Sequence, residues 1–374
     1  MNLIKQVLKD SNSNKVEYMP LGKLVKIETG KLNANAAVAD GEFMFFTTAT
    51  EPSRIDKYRW DTEALLIAGN ANVGAVQHYK GKFEAYQRTY VLTEAVEVLD
   101  IRFLYYILCN GLGQYLSNRS KKAAMTYIVL SDLQNFPVPI PPLPVQEEIV
   151  RILDTFTELI AELKAELTAR KKQYEFYRDE LLKLEGVEGV EWKKLGELLG
   201  YEQPTKYIVK STGYDESYET PVLTAGQTFI LGYTDEVEGI YQATKDKPVI
   251  IFDDFTTGFH WVDFDFKVKS SAMKFLKPKH DGVNFRYIYH CMRTLPFELD
   301  GHRRRWIREY SELEIPIPSL AEQERIVSIL DQFDTLTNSL TEGIPAEIEL
   351  RQKQYEFYRE KLLTFKRRHV SYDK

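Results

Sequence analysis

Few residues of this 374-residue chain are equipped for chemistry, and they are scattered. Asp253 and Asp254 follow the apolar run PVIIF (248–252). Paired carboxylates at a strand end can hold a metal ion, but Asp also makes turns, and turn chemistry is the expectation here. The histidines, His78, His260, His280, His290, His302 and His369, show no ligand spacing with Cys, Asp or Glu. Cys109 and Cys291 form neither a CxxC nor a disulfide framework. GxGxxG, GxxxxGK[ST] and HExxH are absent. So is [DN]PP[YF], the tetrapeptide of adenine-N6 methyltransferases; the nearest string is IPPL. No catalytic residue, metal ligand or bound cofactor is expected.

Other residues have the chemistry of nucleic-acid contact. HRRRWIR (302–308) places Arg303, Arg304, Arg305 and Arg308 around a tryptophan. NRSKK (118–122) brings Lys121 and Lys122 to the matching late position of the first half, and KVKSSAMK (267–274) adds Ser270 and Lys274. Such clusters suit phosphate contacts, which position a protein on a duplex without reading sequence. The alternative is an ordinary solvated face. ALLIAGNANVGAV (64–76) and PVIIFDDFTTGFHWV (248–262) read as strand–turn–strand units that align with Gly74 on Gly258. Their tips differ: Asn70 and Asn72 in one, Asp254 and Thr256 in the other. Asn and Gln can pair bidentately with adenine and Arg with guanine, or these residues simply make the turn. Lys31, Asn33, Arg54, Lys57, Arg59, Arg88, Gln227, Thr228 and His260 complete the candidate DNA-contact set.

The elements that must hold these residues are announced by a repeat. RKKQYEFYRDELL (170–182) matches RQKQYEFYREKLL (351–363), and QEEIVRILDTF (146–156) matches QERIVSILDQF (323–333). PIPPL (139–143) and PIPSL (316–320) lead into them. VEYMPLGKL (16–24) and VEWKKLGEL (190–198) open each half. The chain is thus two tandem halves, each a globular segment followed by a long helix. The globular segments read as mixed α/β and are far less alike than the helices. RFLYYILC (102–109) and FRYIYHC (285–291) are a weak echo that sets Cys109 opposite Cys291 on matching helices.

In the first helix Ile149, Leu153, Phe156, Ile160, Leu163, Leu167, Arg170, Tyr174, Tyr177, Leu181 and Leu184 keep 4-3 spacing, a seam that packs against a partner helix. The second helix continues the pattern through Ile326, Leu330, Phe333, Thr337, Leu340 and Ile344, and resumes at Ile348, Arg351, Tyr355, Tyr358, Leu362 and Phe365. The step from Ile344 to Ile348 is four where three is expected, a four-residue stutter relative to the first helix, and Pro345 inside it should kink or interrupt the helix. Pairing the two helices antiparallel predicts a rod of about 58 Å at ~1.5 Å per residue, with a globular segment at each end and an approximate two-fold axis. The outward helix faces are charged. They are either solvated surface or seats for a partner's helices.

Length predicts more than one domain. The composition, 44% hydrophobic and 28% charged, is that of soluble globular proteins. No apolar run approaches the ~20 residues that cross a bilayer. MNLIKQVLKDSNSNK has no sustained apolar core, so no signal peptide is expected, and with two cysteines the expected compartment is a reducing cytoplasm. Net charge is -6, with the second globular segment the more acidic. That argues against an indiscriminate nucleic-acid binder, so phosphate contacts must come from local clusters.

The duplicated Leu-Gly start (Leu21-Gly22, Leu195-Gly196), PIPP/PIPS, QExIVxILD and KQYEFYR resemble the specificity subunit of type I restriction–modification enzymes over nearly the whole chain. The resemblance implies two target recognition domains (1–142 and 190–318), each followed by a conserved spacer helix (143–189 and 319–374, the latter with the C-terminal tail). It implies a non-catalytic subunit reading a bipartite double-stranded DNA target. The expected partners are two adenine methyltransferase subunits and two restriction/translocase subunits. S-adenosylmethionine, ATP and Mg would be bound by those partners. The competing reading is a coiled-coil protein-interaction scaffold without DNA binding; a nuclease at Asp253-Asp254 is a third.

Overall fold

The structure, a computed structural model, describes residues 16–119, 127–226, 228–298, 301, 303–339 and 342–366. It divides into unit 1 (1–164 and 347–374) and unit 2 (165–346). The described helices are α1 (Ile101–Arg119), α2 (Leu130–Gln134), α3 (Leu143–Leu182), α4 (Leu195–Leu198), α5 (Phe285–Met292), α6 (Leu320–Asn338) and α7 (Gly343–Leu362).

Unit 1 contains β1 (Glu17–Pro20), β2 (Lys26–Thr29), β3 (Phe43–Phe46), β4 (Ser53–Ile55), β5 (Trp60–Ala68), β6 (Val76–Ala85), β7 (Thr89–Thr93) and β8 (Pro137–Ile140). Six of them form one sheet in the order β2-β7-β5-β6-β3-β4, antiparallel except for β3 beside β6. The run Ala64–Ala68 is buried throughout because both faces of β5 are covered. Leu65 and Ile67 face the core that includes Phe103, Leu104 and Leu108 of α1. Ala64 and Leu66 face Phe46, Phe83 and Val91. This is the period of two that a strand imposes. β1 and β8 form a separate antiparallel ribbon, Glu17 opposite Ile140.

Unit 2 contains β9 (Glu191–Lys194), β10 (Leu199–Glu202), β11 (Thr220–Leu223), β12 (Ile230–Thr234), β13 (Val249–Asp253), β14 (Phe259–Val262), β15 (Lys267–Val268), β16 (Met273–Pro278) and β17 (Glu314–Ile317). Its sheets are β10-β16-β13-β14 and β12-β11-β15, with β9 and β17 as the antiparallel ribbon. Ile250 and Phe252 pack with Tyr287 and Ile288 of α5, while Val249 and Ile251 pack with Phe266 and Phe275.

The repeated strings build the same frame in each unit. Leu21 and Leu195 are fully buried, and their N–H groups donate to Phe136 O and Leu313 O, both at 2.9 Å. The sheets hung on this frame differ, as the unlike globular sequences predict.

In unit 1 the start of α3 runs against the end of α7. Phe156 stacks on Tyr358 at 5.6 Å, and Ile149 and Leu153 share a core with Leu362 and Phe365. In unit 2 the end of α3 runs against α6. Tyr177 stacks on Phe333 at 5.6 Å, and Leu182 shares a core with Ile326 and Leu330. The chain directions are opposite in both pairs. α3 ends at Leu182, so Leu184 lies beyond the helix. The second long helix is two helices rather than one. The first ends at Asn338 and the second begins at Gly343, with Leu340 outside the described residues, and Pro345 sits in the first turn of α7, where its missing N–H costs little. Gly343 makes the break: its φ is +75°, and a Cβ there would lie 2.5 Å from Thr335 O.

Candidate nucleic-acid interface

In unit 1 four loops are stitched together by hydrogen bonds. The β5–β6 tip is anchored by Gly69, whose N–H donates to Arg88 O at 2.8 Å. Asn72 Nδ2 donates to Thr48 O at 2.8 Å and Gln77 Nε2 to Thr50 O at 2.9 Å, which ties in the β3–β4 loop. Gln87 Nε2 donates to Asn33 Oδ1 at 2.8 Å and the Gln87 N–H to Leu32 O at 2.9 Å. Lys31, Asn33, Asn72 and Arg88 are therefore exposed on one loop cluster. Asn70, half-buried beside them, pairs with Tyr127 as an isolated antiparallel bridge; its Oδ1 is buried and accepts no hydrogen bond. Arg54 and Lys57 are exposed on and after β4. Arg59 is committed within the protein. It reaches Glu28 at 3.2 Å and Thr29 O at 3.1 Å, with its guanidinium 4.4 Å from the Trp60 ring centroid. Lys121 and Lys122 lie outside the described residues, as do Gln227 and His302.

In unit 2 the equivalent β13–β14 tip is held from beneath. Asp253 Oδ1 accepts the N–H groups of Phe255 and Thr256, both at 2.8 Å, so this carboxylate does turn chemistry. Asp254 is buried. Its Oδ1 accepts the N–H groups of Arg305 at 3.1 Å and Trp306 at 2.8 Å, and Lys274 Nζ lies 3.2 Å from its Oδ2. Arg305 is buried as well, donating to Glu309 at 2.8 Å and Gly301 O at 2.9 Å. Asp254, Lys274 and Arg305 are thus corrected from candidate DNA contacts to an internal anchor: buried side chains present no surface to a duplex. The anchor exists because 303–310 folds back to Asp254 and seats Trp306 against Phe252 at 5.2 Å.

The exposed survivors gather around this anchor. Arg304 lies 5.9 Å from the Phe255 ring centroid, Arg308 is exposed, and Arg303 pairs with Glu309 at 2.7 Å. Thr228, Thr256 and Ser270 are exposed on neighbouring turns. His260 donates Nε2–H to Gly226 O at 2.8 Å and packs on Phe229; burial lowers its pKa, which keeps the ring neutral. The Gly74–Gly258 alignment does not reflect a shared conformation. Gly74 has φ +82°, whereas at the second tip the left-handed residue is Thr257 (φ +57°). Gly258 is small because a Cβ would lie 2.5 Å from Ala225 O.

Each globular part is fastened to its long helix by residues that the heptad spacing passes over. Gln146 is fully buried. Its Oε1 accepts the Asp100 N–H at 2.9 Å, and its Nε2 donates to Val98 O at 2.8 Å and Pro141 O at 2.7 Å. Gln323 accepts the Asn284 N–H at 2.9 Å and donates to Pro318 O at 2.8 Å. Asp100 and Asn284 in turn cap α1 and α5, Oδ1 accepting from Phe103 and from Arg286 and Tyr287. Asp154 accepts from Arg102 at 2.7 Å and from the Tyr106 hydroxyl. Asp331 accepts from Arg286 and His290, both at 2.7 Å. The signal for these residues was the exact recurrence of Gln and Asp in QExIVxILD.

This register corrects the cysteine pairing. With Asp100 opposite Asn284 and Tyr106 opposite His290, Cys291 falls opposite Ile107 and Cys109 opposite Arg293. Cys291 is buried and Cys109 exposed, as that two-residue shift requires.

Of the packing residues, Ile149, Leu153, Ile160, Tyr174, Ile326 and Leu330 are buried, and Phe156, Leu163, Phe333, Tyr355 and Tyr358 are partly so. Tyr177 is exposed on one side of its stack. Tyr174 is buried with its hydroxyl pKa pushed up to about 12, chiefly by desolvation. Among the described residues no cluster of His, Cys, Asp and Glu could hold a metal ion, and no helix is long and apolar enough to cross a membrane.

Comparison with known proteins agrees with this architecture. The type I restriction modification DNA specificity domain matches twice, over residues 13–169 and 187–350. The chain is 54% identical over 199 residues to the EcoR124I/EcoR124II specificity subunit of Escherichia coli, spanning half of this chain and 48% of that protein. It is 32% identical over 376 residues to a putative type I restriction enzyme specificity subunit of Haemophilus influenzae, covering 94% and 96% of the two. The fold resembles that of a type I restriction–modification S subunit from M. genitalium, with a TM-score of 0.68 at 16% identity over 96% of this chain. With the family matched across both halves, the chain belongs to the type I restriction–modification specificity subunits, which recognise DNA and leave catalysis to other subunits.

Proposed function

We propose that each unit's loop cluster reads one half of a split DNA target, and that the spacer helices set the gap between the halves. The observation carrying this reading is a duplicated frame that bears two unlike loop clusters. In unit 1 Lys31, Asn33, Asn72 and Arg88 are exposed; in unit 2 Thr256, Ser270, Arg304 and Arg308 are. A helix of 40 residues is about 60 Å long.

Chemistry on the DNA falls to partners: two adenine methyltransferase subunits using S-adenosylmethionine, and two translocase/nuclease subunits using ATP and Mg. The partner-binding faces are the repeated exposed residues of KQYEFYR. Phe176 and Phe357 are 62% and 51% exposed, identical in both halves although packing does not demand it. Aromatic side chains that a partner buries on binding dominate protein interfaces. Titrating duplex DNA into the chain with its methyltransferase partner across a salt series tests the reading. Affinity for target DNA that falls linearly with log salt supports it. Binding that ignores salt, or no binding by the assembled complex, contradicts it.

A further inference from the structure

The frame carries two fasteners per half, not one, and their geometry has a consequence for target reading. Gln146 and Asp154 lie eight residues apart on α3, as Gln323 and Asp331 do on α6. At ~1.5 Å per residue that is about 12 Å along the helix. A single fastener would leave a globular part free to pivot on its spacer; two separated by that distance do not.

What the fasteners grip is equally specific. The glutamine takes main-chain groups: the cap N–H of Asp100 or Asn284, and a proline carbonyl just before the spacer helix. The aspartate takes an arginine two residues after the cap, Arg102 or Arg286, and a donor four residues further on. That donor is Tyr106 in one half and His290 in the other. The glutamine and aspartate of the socket recur in the two halves, and the second half adds Asp334, which pairs with Arg286 at 2.7 Å where the first half has Thr157. The plug side is a capped helix with a few donors, and the sheets and reading loops beyond it differ.

We propose that Gln146 with Asp154, and Gln323 with Asp331, are positioning residues that fix the angle of each recognition unit on its spacer helix and thereby the spacing accepted between half-sites. This rests on the split-target reading above. The glutamines touch no DNA; they act through α1 and α5, which carry the reading sheets. Because the glutamine reads main chain and the aspartate needs only an arginine and one further donor, the same socket serves recognition parts of unlike sequence.

The test is adenine-methylation sequencing of a host carrying the full chain with its methyltransferase partner, comparing wild type, Gln323→Ala and Gln146→Ala. The expected result is methylation at sites whose spacer is one base pair longer or shorter than the wild-type spacer, rising at least several-fold, with the half-site letters unchanged. A strict spacer with methylation falling in step with the melting temperature would show a purely structural role and overturn the proposal. If either alanine variant fails to assemble, Asp154→Asn and Asp331→Asn are read the same way. They keep size and an acceptor but remove a charge that holds Arg102 or Arg286; because Asp334 also pairs with Arg286 at 2.7 Å, Asp331→Asn is combined with Asp334→Asn, and a strict spacer in these folded variants overturns the proposal. Absence of any split motif with wild type would instead contradict the split-target reading itself.

Discussion

His290 Nε2 lies 2.7 Å from Asp331 Oδ1, in the place that the Tyr106 hydroxyl takes against Asp154 in the other half. One aspartate therefore holds a histidine ring and its twin a tyrosine hydroxyl. Burial lowers the His290 pKa, opposed by Asp331 and aided by Arg286; Arg293, Asp334 and Tyr174 complete its surroundings. With the folded pKa below the unfolded value near 6.5, the unfolded chain binds more protons in between, so stability falls as pH drops below about 6.5. His260, also lowered by burial, has the same sign. Asp331 and Asp334 are lowered too; their stabilisation is present above about pH 4 and lost below it, a separate window. Thermal melts between pH 7.5 and 5.5 should show the melting temperature falling toward acid, with a shallower slope in His290→Gln. An unchanged slope would mean that His290 does not titrate there.

The arginine run should divide by burial. Arg304→Ala should weaken binding to all duplexes alike and lower the salt slope by about one unit, as loss of a phosphate contact does. A changed sequence preference would make Arg304 a base reader. Lys274→Met leaves Asp254 charged and buried without its ion-pair partner, and should cost about 3–5 kcal/mol of stability. Denaturant melts of the two variants separate these roles.

Gly343→Ala should destabilise the chain by more than about 1 kcal/mol, because alanine is strained at φ +75° and its Cβ would strike Thr335 O. Chemical denaturation with an unchanged slope and a lower midpoint is the expected result. Wild-type stability would mean that the α6–α7 break repacks around the new methyl.

Phe176→Ala and Phe357→Ala remove exposed rings, so melting temperatures should barely move. Each should nevertheless cost about 2 kcal/mol or more in methyltransferase-partner affinity if these rings are anchors. Calorimetric titration with the partner subunit, giving wild-type affinity for both variants, would place the interface elsewhere.

What the sequence disclosed was the frame. Leu21 and Leu195, Gln146 and Gln323, and Phe156 and Phe333 recur because each half needs the same buried contacts at the same steps. The loops were less legible. Arg305 looks like its neighbours in HRRRWIR, but its burial depends on a segment folding back to Asp254, some fifty residues earlier in the chain. Cys109 and Cys291 were matched by letters, whereas the true register is set by helix caps gripped through main-chain N–H groups, which no side-chain letter records. The break between α6 and α7 was signalled by Pro345 but is made by Gly343, whose left-handed conformation a helical pattern hides.

The most direct test of the two-reader account is single-molecule methylation sequencing of DNA from a host expressing this chain with its methyltransferase partner, against the methyltransferase alone. The account predicts N6-methyladenine at one split motif with a fixed non-specific spacer, present only when this chain is expressed. An assembled complex that adds no methylation, or methylates one continuous motif, would contradict it; the former outcome would favour a protein-binding scaffold.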